Sequence, residues 1–408
     1  MDNTNQSAIM YGAGNIGRGF IGALFSQSGY DVTFIDVAKP VVEALQARGS
    51  YPVRVLDGAG YTDERIERVS AIDGTDTEAV ARAIASASVM ATAVGANILR
   101  FIAPNIAAGL KLRHAEGGKP LNIIICENLM DANRVLEGLV KQHLSGAEQV
   151  WFNENVGLVE ASIGRMVPVQ TDEMKDGDAL RVCVERYGYL PVDRDAFRGE
   201  IPQIRNIVPF SPFDFYIRRK LYIHNLGHAT AAYLGLYTEK TLIADAIDEP
   251  EILFLSQGAM LESAEALAQK YGVALPEILR HIQDLLARFA NRSLGDTCAR
   301  VGADLVRKLA PADRLIGSAR LCMEQGIAPA YVCVGAACAV WEYLKENARE
   351  QSQENASAAL KQLSGIADGE ELQNRILGYY RLFAGGASLD ALRRAAQREK
   401  AAAVGGAV

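Results

Sequence analysis

The fold is decided near the amino terminus, where residues 8–20 read AIMYGAGNIGRGF. An apolar strand pattern runs directly into a GxGxxG turn formed by Gly12, Gly14 and Gly17, and an amphipathic helix pattern follows to about Ser28. In such a turn the first glycine permits a tight bend, the second lets a pyrophosphate approach the backbone, and the third lets helix and strand pack closely. The helix start adds N–H groups and a positive dipole. The stretch therefore predicts a dinucleotide-binding βαβ unit.

The choice of dinucleotide depends on the end of the next strand. The pattern Tyr30–Ile35 ends at Asp36, which lies 24 residues after Gly12. An acid near this spacing binds the ribose hydroxyls of NAD and would repel the extra phosphate of NADP. Neither position 37 nor position 38 holds arginine or lysine. The sequence therefore favours NAD.

A second strand–helix–strand pattern extends this unit. Small residues follow the strand Ser88–Ala93, and a dinucleotide passes the carboxyl ends of parallel strands at such positions. The expected cofactor contacts are Gly12, Gly14, Asn15, Ile16, Gly17, Asp36, Thr92, Ala93 and Val94. Asn128 follows the next strand and either lines the same edge or caps a helix from about Asp131. A further strand is expected near residues 149–153.

The length of 408 residues exceeds one ordinary core, so two domains are expected. We predict an α/β Rossmann-type domain with a doubly wound, mostly parallel sheet over residues 1–205. A mainly α-helical domain is expected over residues 206–408, after a proline-rich passage that reads as a hinge.

Composition narrows the class of protein. A net charge of −7 disfavours binding to nucleic acid or to anionic membranes. The polar start lacks a secretion signal and no apolar run reaches the roughly 20 residues that span a bilayer, so a cytoplasmic protein is expected. Six scattered cysteines without ligand spacing indicate reduced thiols, and no metal site is expected.

The second half contains an unusual polar cluster, because residues 219–228 read RKLYIHNLGH inside an apolar helix pattern. On an α-helical wheel of about 100° per residue, Lys220, His224, His228 and Asn225 share one side. They form either a functional cluster or a polar stripe, and the apolar flanks favour partial burial. A lysine whose pKa is lowered by burial and by Arg219 would serve as the acid/base of a hydride transfer.

Other polar groups could complete this chemistry. Asn225 and Asn128 could donate hydrogen bonds to the reacting oxygen, while His228 orients the substrate or the lysine. His224 reads as structural, and His281 lies in a polar helical pattern without a role. A basic run over residues 300–320 is either a set of solvated helix faces or a phosphate clamp.

Together these residues resemble the polyol-specific long-chain dehydrogenases. The resemblance covers nearly the whole chain and is most specific at residues 11–22, 92–95 and 126–128 and at the K-x4-N-x2-H pattern of Lys220, Asn225 and His228. It implies that Lys220 is the general acid/base, that Asn128 and Asn225 hold the reacting oxygen, and that His228 binds substrate. It also implies independence from metal and, often, a monomer.

The resemblance further implies NAD-dependent interconversion of D-mannitol 1-phosphate and D-fructose 6-phosphate. The candidates for holding the phosphate are Arg165, Arg219, Arg307, Lys308 and Arg314. Dehydrogenation of free polyols or hexuronates stays open as an alternative, as does an NAD-binding sensor without turnover. Two positions depart from the family pattern: Gly164 replaces an aspartate, and Arg292 replaces a proline.

Overall fold

In a computed structural model, which describes residues 6–58 and 60–405, the chain forms two compact units, Met1–Asp214 and Phe215–Val408. The strands are β1 (Ser7–Tyr11), β2 (Asp31–Asp36), β3 (Tyr51–Asp57), β4 (Gly60–Ile66), β5 (Val69–Asp73), β6 (Val89–Thr92), β7 (Leu121–Ile125), β8 (Val156–Glu160), β9 (Val182–Glu185), β10 (Leu190–Asp193) and β11 (Ile207–Phe210). The helices of the first unit are α1 (Ala23–Gln27), α2 (Lys39–Arg48), α3 (Thr77–Ser86), α4 (Leu99–Ala115), α5 (Ala132–Lys141), α6 (Gly146–Asn155) and α7 (Asp172–Lys175).

The first unit is built on a six-stranded parallel sheet. Its order is β5-β2-β1-β6-β7-β8, with every neighbouring pair parallel. Counted by position in the chain, this is the 3-2-1-4-5-6 order of a doubly wound dinucleotide fold, whose ligand crevice opens where the order reverses, between β1 and β6. The predicted Rossmann-type sheet is confirmed.

The residues of β1 explain why this strand is central. Ala8 and Met10 belong to one buried cluster, whereas Ile9 and Tyr11 belong to the cluster on the other face. A strand that is buried on both faces is apolar throughout, as parallel sheets covered by helices require. Two smaller sheets, β4-β3-β9 and β10-β11, extend the unit.

Two glycines of the first turn have no room for a side chain. Gly12 has φ +103°, and a Cβ there would lie 2.6 Å from the carbonyl oxygen of Ala93. A Cβ at Gly17 would lie 1.9 Å from the carbonyl oxygen of Gly12. A Cβ at Gly14 would meet no atom within 4 Å. The space beside Gly14 is therefore open, as the approach of a pyrophosphate requires.

The expected strand near residues 149–153 is wrong, because these residues lie within α6. The hydroxyl of Ser145 accepts a hydrogen bond from the Glu148 N–H, and the Glu148 carboxylate accepts one from the Ser145 N–H. This capping box satisfies free N–H groups at the start of a helix. It outweighs the apolar residues that suggested a strand.

The second unit is mainly helical in the described residues. Its helices are α8 (Asp214–Arg219, whose first residue closes the first unit), α9 (Leu226–Tyr237), α10 (Ile243–Ile247), α11 (Pro250–Tyr271), α12 (Leu275–Phe289), α13 (Cys298–Gly302), α14 (Leu305–Lys308), α15 (Ile316–Glu324), α16 (Ala330–Glu346), α17 (Gln353–Ser364), α18 (Glu371–Ala384) and α19 (Leu389–Gly405). No helix within 6–58 or 60–405 is long and apolar enough to cross a membrane.

Small residues let the central helices of this unit approach closely. A Cβ at Gly227 of α9 would lie 2.4 Å from the sulfur of Met260 on α11. A Cβ at Gly335 of α16 would lie 2.6 Å from the hydroxyl of Thr230 on α9. The start of α9 is therefore fixed against two long helices.

These glycine environments yield a stability prediction. We expect Gly17→Ala to lower the free energy of unfolding by about 1 to 3 kcal/mol, because the new methyl group displaces a backbone carbonyl. Gly14→Ala is the matched control and should stay within about 0.5 kcal/mol of the parent. Denaturant unfolding of both variants measures the difference. Equal stabilities would contradict this account of the turn.

Candidate active site

The carboxyl ends of β1 and β2 are joined by Asp36. Its Oδ2 accepts a hydrogen bond from the N–H of Ala13 at 2.6 Å, and its Oδ1 accepts one from Ala38 at 2.9 Å. The Gly12 N–H donates to the carbonyl of Ile35 at 2.8 Å. Asp36 therefore stands beside the glycine turn, as an acid that recognises a ribose must.

Glu127 is a buried carboxylate to which the sequence pattern assigned no role. It connects the carboxyl ends of β6 and β7. Glu127 accepts hydrogen bonds from the hydroxyl of Thr92 at 2.7 Å and from the N–H of Val94 at 3.0 Å. Burial raises the pKa of Glu127, and these hydrogen bonds oppose that rise. The side chain of Thr92 is fully buried, so its hydroxyl serves Glu127.

Asn128 is exposed directly after Glu127. The N-cap of α5 is Asp131, and no side-chain hydrogen bond caps that helix. The alternative of a helix cap at Asn128 is therefore excluded. Its role toward the reacting oxygen stays a prediction.

In the second unit, the helix that was expected to run unbroken through Lys220 contains a π turn, Lys220–Asn225, between α8 and α9. On a regular wheel Asn225 lies about 140° from Lys220. In a π turn the hydrogen bonds join residues five apart, so Asn225 lies about one turn from Lys220 on the same side. The π turn gathers the pair more closely than the expected wheel, and such turns are frequent at functional sites.

Lys220 is half-buried and electrostatically unusual. Burial, together with the positive charge of Arg314, lowers the pKa of Lys220 to about 8. The expected contribution of Arg219 is wrong: its guanidinium lies 4.3 Å from the centre of the Tyr216 ring, and the charge that acts on the lysine is that of Arg314. Among residues 6–58 and 60–405, neither the ammonium of Lys220 nor the amide of Asn225 has a hydrogen-bond partner.

The histidine side chains in this region differ in their surroundings. His228 stacks on Phe289 with ring centres 4.6 Å apart, and its Nε2 lies 3.1 Å from Oδ2 of Asp296. His224 is buried, and burial and the charge of Arg288 hold its pKa well below the usual value. His281 lies in the same cationic neighbourhood, not in the polar surroundings expected, because burial and Arg219 lower its pKa too.

Two phosphate candidates donate hydrogen bonds to backbone carbonyls. Arg165 donates from Nε to the carbonyl of Glu185 at 2.8 Å and from Nη1 to that of Gly19 at 2.9 Å. The buried ammonium of Lys308 donates to the carbonyl of Val301 at 2.6 Å and also to that of Ala303. Lys308 thereby binds the carboxyl end of α13, where the chain passes from α13 into α14.

Arg307 and Arg314 pair with aspartates instead. Arg307 is exposed and pairs with Asp304 at 2.5 Å. Arg314 donates from Nε to Asp313 at 2.7 Å, and its side chain is only 11% exposed. Because Arg314 is also the charge that acts on Lys220, it is the candidate most closely linked to the lysine.

The two departures from the family pattern have local explanations. A Cβ at Gly164 would lie 3.1 Å from the ring of Tyr187, so an aspartate there would require this ring to move. Arg292 is paired with Asp245 and, at 2.5 Å, with Asp248. Its added charge is therefore balanced by two carboxylates.

No group of three or more histidine, cysteine, aspartate or glutamate side chains in the described residues could hold an ion. The six cysteines are buried and unpaired.

Two domains of one known protein family match this chain. The mannitol dehydrogenase Rossmann domain matches residues 6–206, and the mannitol dehydrogenase C-terminal domain matches residues 213–386. The chain belongs to the mannitol dehydrogenase family. This membership confirms the resemblance inferred from residues 11–22 and from the K-x4-N-x2-H pattern.

Relatives agree with this membership, and solved structures share the fold. Mannitol-1-phosphate 5-dehydrogenase of Bacillus subtilis (strain 168) is 39% identical over 79% of this chain and 86% of its own, and that of Bacillus pumilus is 36% identical over 91% and 98%. D-Sorbitol dehydrogenase in substrate-free form has a TM-score of 0.79 at 15% identity, covering 96% of this chain and 95% of its own. Mannitol 2-dehydrogenase of Pseudomonas fluorescens, in a ternary complex with NAD and D-mannitol, has a TM-score of 0.72 at 14% identity, covering 96% and 94%.

The electrostatics of Lys220 can be tested without any assay of turnover. Competitive acetylation at a series of pH values, read by mass spectrometry, should give Lys220 a pKa of about 8. Arg314→Met should raise this pKa, because it removes a repelling positive charge, yet leave it below the ordinary lysine value, because burial is the larger cause. Lys361 on the surface is the internal control. An unchanged pKa in the variant would contradict the assigned cause.

Proposed function

We propose that this protein interconverts D-mannitol 1-phosphate and D-fructose 6-phosphate with NAD as the hydride carrier. The observation that carries the proposal is Lys220, a half-buried ammonium whose pKa is lowered to about 8 and whose neighbour Asn225 is also without a partner in the described residues. Relatives named mannitol-1-phosphate 5-dehydrogenase, at 36–39% identity over most of the chain, supply the substrate.

The preference for NAD rests on the first unit. Asp36 presents a carboxylate beside the glycine turn, where it suits two ribose hydroxyls and opposes a phosphate. The open space at Gly14 fits a pyrophosphate against the backbone. When bound, the nicotinamide accepts the hydride from the alcohol carbon or returns it to the ketone.

Lys220 would handle the proton that accompanies the hydride. In oxidation its neutral amine removes the hydroxyl proton, and in reduction its ammonium returns a proton to the ketone oxygen. A pKa of about 8 keeps both forms populated near neutral pH. Asn225 would donate a hydrogen bond to the same oxygen and stabilise developing negative charge there. His228 would orient the neighbouring hydroxyls.

The phosphate of the substrate requires a cationic partner, and Arg314 is our first choice. Asp313 binds only the Nε of its guanidinium in the described part of the chain, which leaves the two terminal nitrogens for a bidentate contact. Six buried, unpaired cysteines suit a reducing compartment, so we propose that the protein acts in the cytoplasm.

The function is tested by supplying NADH or NADPH with fructose 6-phosphate, fructose, fructuronate or tagaturonate in separate assays. We expect NADH with fructose 6-phosphate to give the highest kcat/KM. Lys220→Met should lower kcat by about 100- to 10,000-fold, because the proton then has no acid to come from. Lys361→Met, which removes an exposed lysine paired with Asp368, is the control and should retain activity.

Two outcomes would overturn the proposal. Faster turnover of an unphosphorylated ketone would reassign the substrate to a free polyol or a hexuronate. Unchanged reduction by Lys220→Met would remove the lysine from the proton transfer. Absence of turnover with all four ketones, despite binding of NADH, would favour a sensor.

A further inference from the structure

The imidazole of His228 is held on two sides. One face stacks on Phe289 with an interplanar angle of 8°. Its Nε2 is buried and lies 3.1 Å from Oδ2 of Asp296. The two atoms lie within hydrogen-bonding distance, although the ring is not ideally aligned on the carboxylate. The ring is therefore restricted by packing on its face and by an anion at its edge.

Asp296 is itself fixed in place. Its carbonyl accepts a hydrogen bond from the N–H of Ile243 at 2.9 Å, and the adjacent Thr297 forms a β-bridge with Leu242. Oδ1 pairs with the guanidinium of Arg300. The side chain of Asp296 is only 11% exposed. The carboxylate is thus anchored through both its backbone and its second oxygen.

The charges on this pair determine which ring nitrogen carries a proton. Burial raises the pKa of Asp296, but His228 and Arg300 together lower it by more. The pKa of Asp296 therefore lies below its usual value. The carboxyl group is therefore an anion at neutral pH. A lone pair on Nε2 would face this anion at 3.1 Å, and two acceptors at that distance repel. The proton of a neutral imidazole consequently belongs on Nε2.

We propose that Asp296 is a positioning residue that fixes the Nε2–H tautomer of His228, so that Nδ1 accepts a hydrogen bond from a substrate hydroxyl. Among residues 6–58 and 60–405 no partner occupies Nδ1. A polyol offers a row of hydroxyl donors, and an acceptor at a fixed angle selects one of them. The inference rests on the proposed polyol phosphate chemistry and adds a residue to it.

The kinetic test uses Asp296→Asn, which keeps the size of the side chain and removes its charge. We expect kcat/KM for mannitol 1-phosphate to fall about 10- to 100-fold, as when a metal-binding histidine loses its carboxylate partner. Most of the change should be in KM, since substrate hydroxyls are bound before reaction. Asp248→Asn, which removes an exposed carboxylate paired with Arg292, should leave kcat/KM unchanged.

A double-mutant cycle separates positioning from general stability. If Asp296 acts through His228, Asp296→Asn will add no further loss in a His228→Gln background. Thermal unfolding of each variant should stay close to the parent. A full additional loss in the His228→Gln background would overturn the proposal and assign Asp296 a structural role.

Nitrogen NMR of protein labelled with ¹⁵N-histidine shows which ring nitrogen of His228 carries the proton, and it requires no turnover. The signal that is lost in His228→Gln belongs to His228. The parent should show Nε2 protonated and Nδ1 bare, while Asp296→Asn should show a mixture. The same spectrum for both proteins, or an Nδ1–H tautomer in the parent, would overturn the inference. Because this readout needs no substrate, it stays valid if the proposed substrate is wrong.

Discussion

Desolvation of a single ammonium is the constraint around which the second unit is organised. Removing Lys220 from water penalises its charged form, and Arg314 adds repulsion, so the pKa falls to about 8. An ordinary exposed lysine stays almost fully charged at neutral pH and is a poor base. The buried surroundings that lower the pKa of the lysine require a firm scaffold, which α9 supplies: Leu226, Ala231 and Leu234 are fully buried.

The π turn at residues 220–225 places Asn225 on the same side of the helix as Lys220. Residues 220–225 are the only part of the helix that departs from regular α geometry between Asp214 and Tyr237. A π turn makes poorer use of backbone hydrogen bonds than an α-helix, so it persists where surrounding contacts hold it. Close approach of Gly227 to Met260 fixes the residue just beyond the turn. The weaker backbone hydrogen bonding of the π turn therefore occurs where Lys220 and Asn225 share a side of the helix.

Much of the fold could be predicted because its signals are local. The strand, glycines and acid between Ala8 and Asp36 predict both the first βαβ unit and the position of the Asp36 carboxylate beside the glycine turn. The π turn could not be predicted, because a helical wheel assumes one period and nothing in the RKLYIHNLGH pattern announces a change. The expected strand at residues 149–153 fails for a similar reason, because the capping box of Ser145 and Glu148 starts a helix despite the apolar residues that follow.

The site was harder to predict than the fold because its charges pair across long stretches of chain. Asp296 meets His228 although 68 residues separate them in the sequence, and Glu127 reaches back to Thr92. The basic residues between 300 and 320 indicated a positively charged region, but the sequence did not show which groups each of them contacts. The structure distinguishes Lys308, bound to carbonyls at the end of α13, from Arg314, whose charge acts on the lysine.

The most direct measurement of the central claim is the pH dependence of kcat in both directions, from about pH 6 to about pH 10, with the coenzyme saturating. Oxidation needs the neutral amine, so its rate should rise about tenfold per pH unit and level off above a pKa of about 8. Reduction needs the ammonium, so its rate should fall above the same pKa. Opposite profiles that share one pKa are the predicted result. Flat profiles, or a break near the ordinary lysine pKa of about 10.4, would contradict the account.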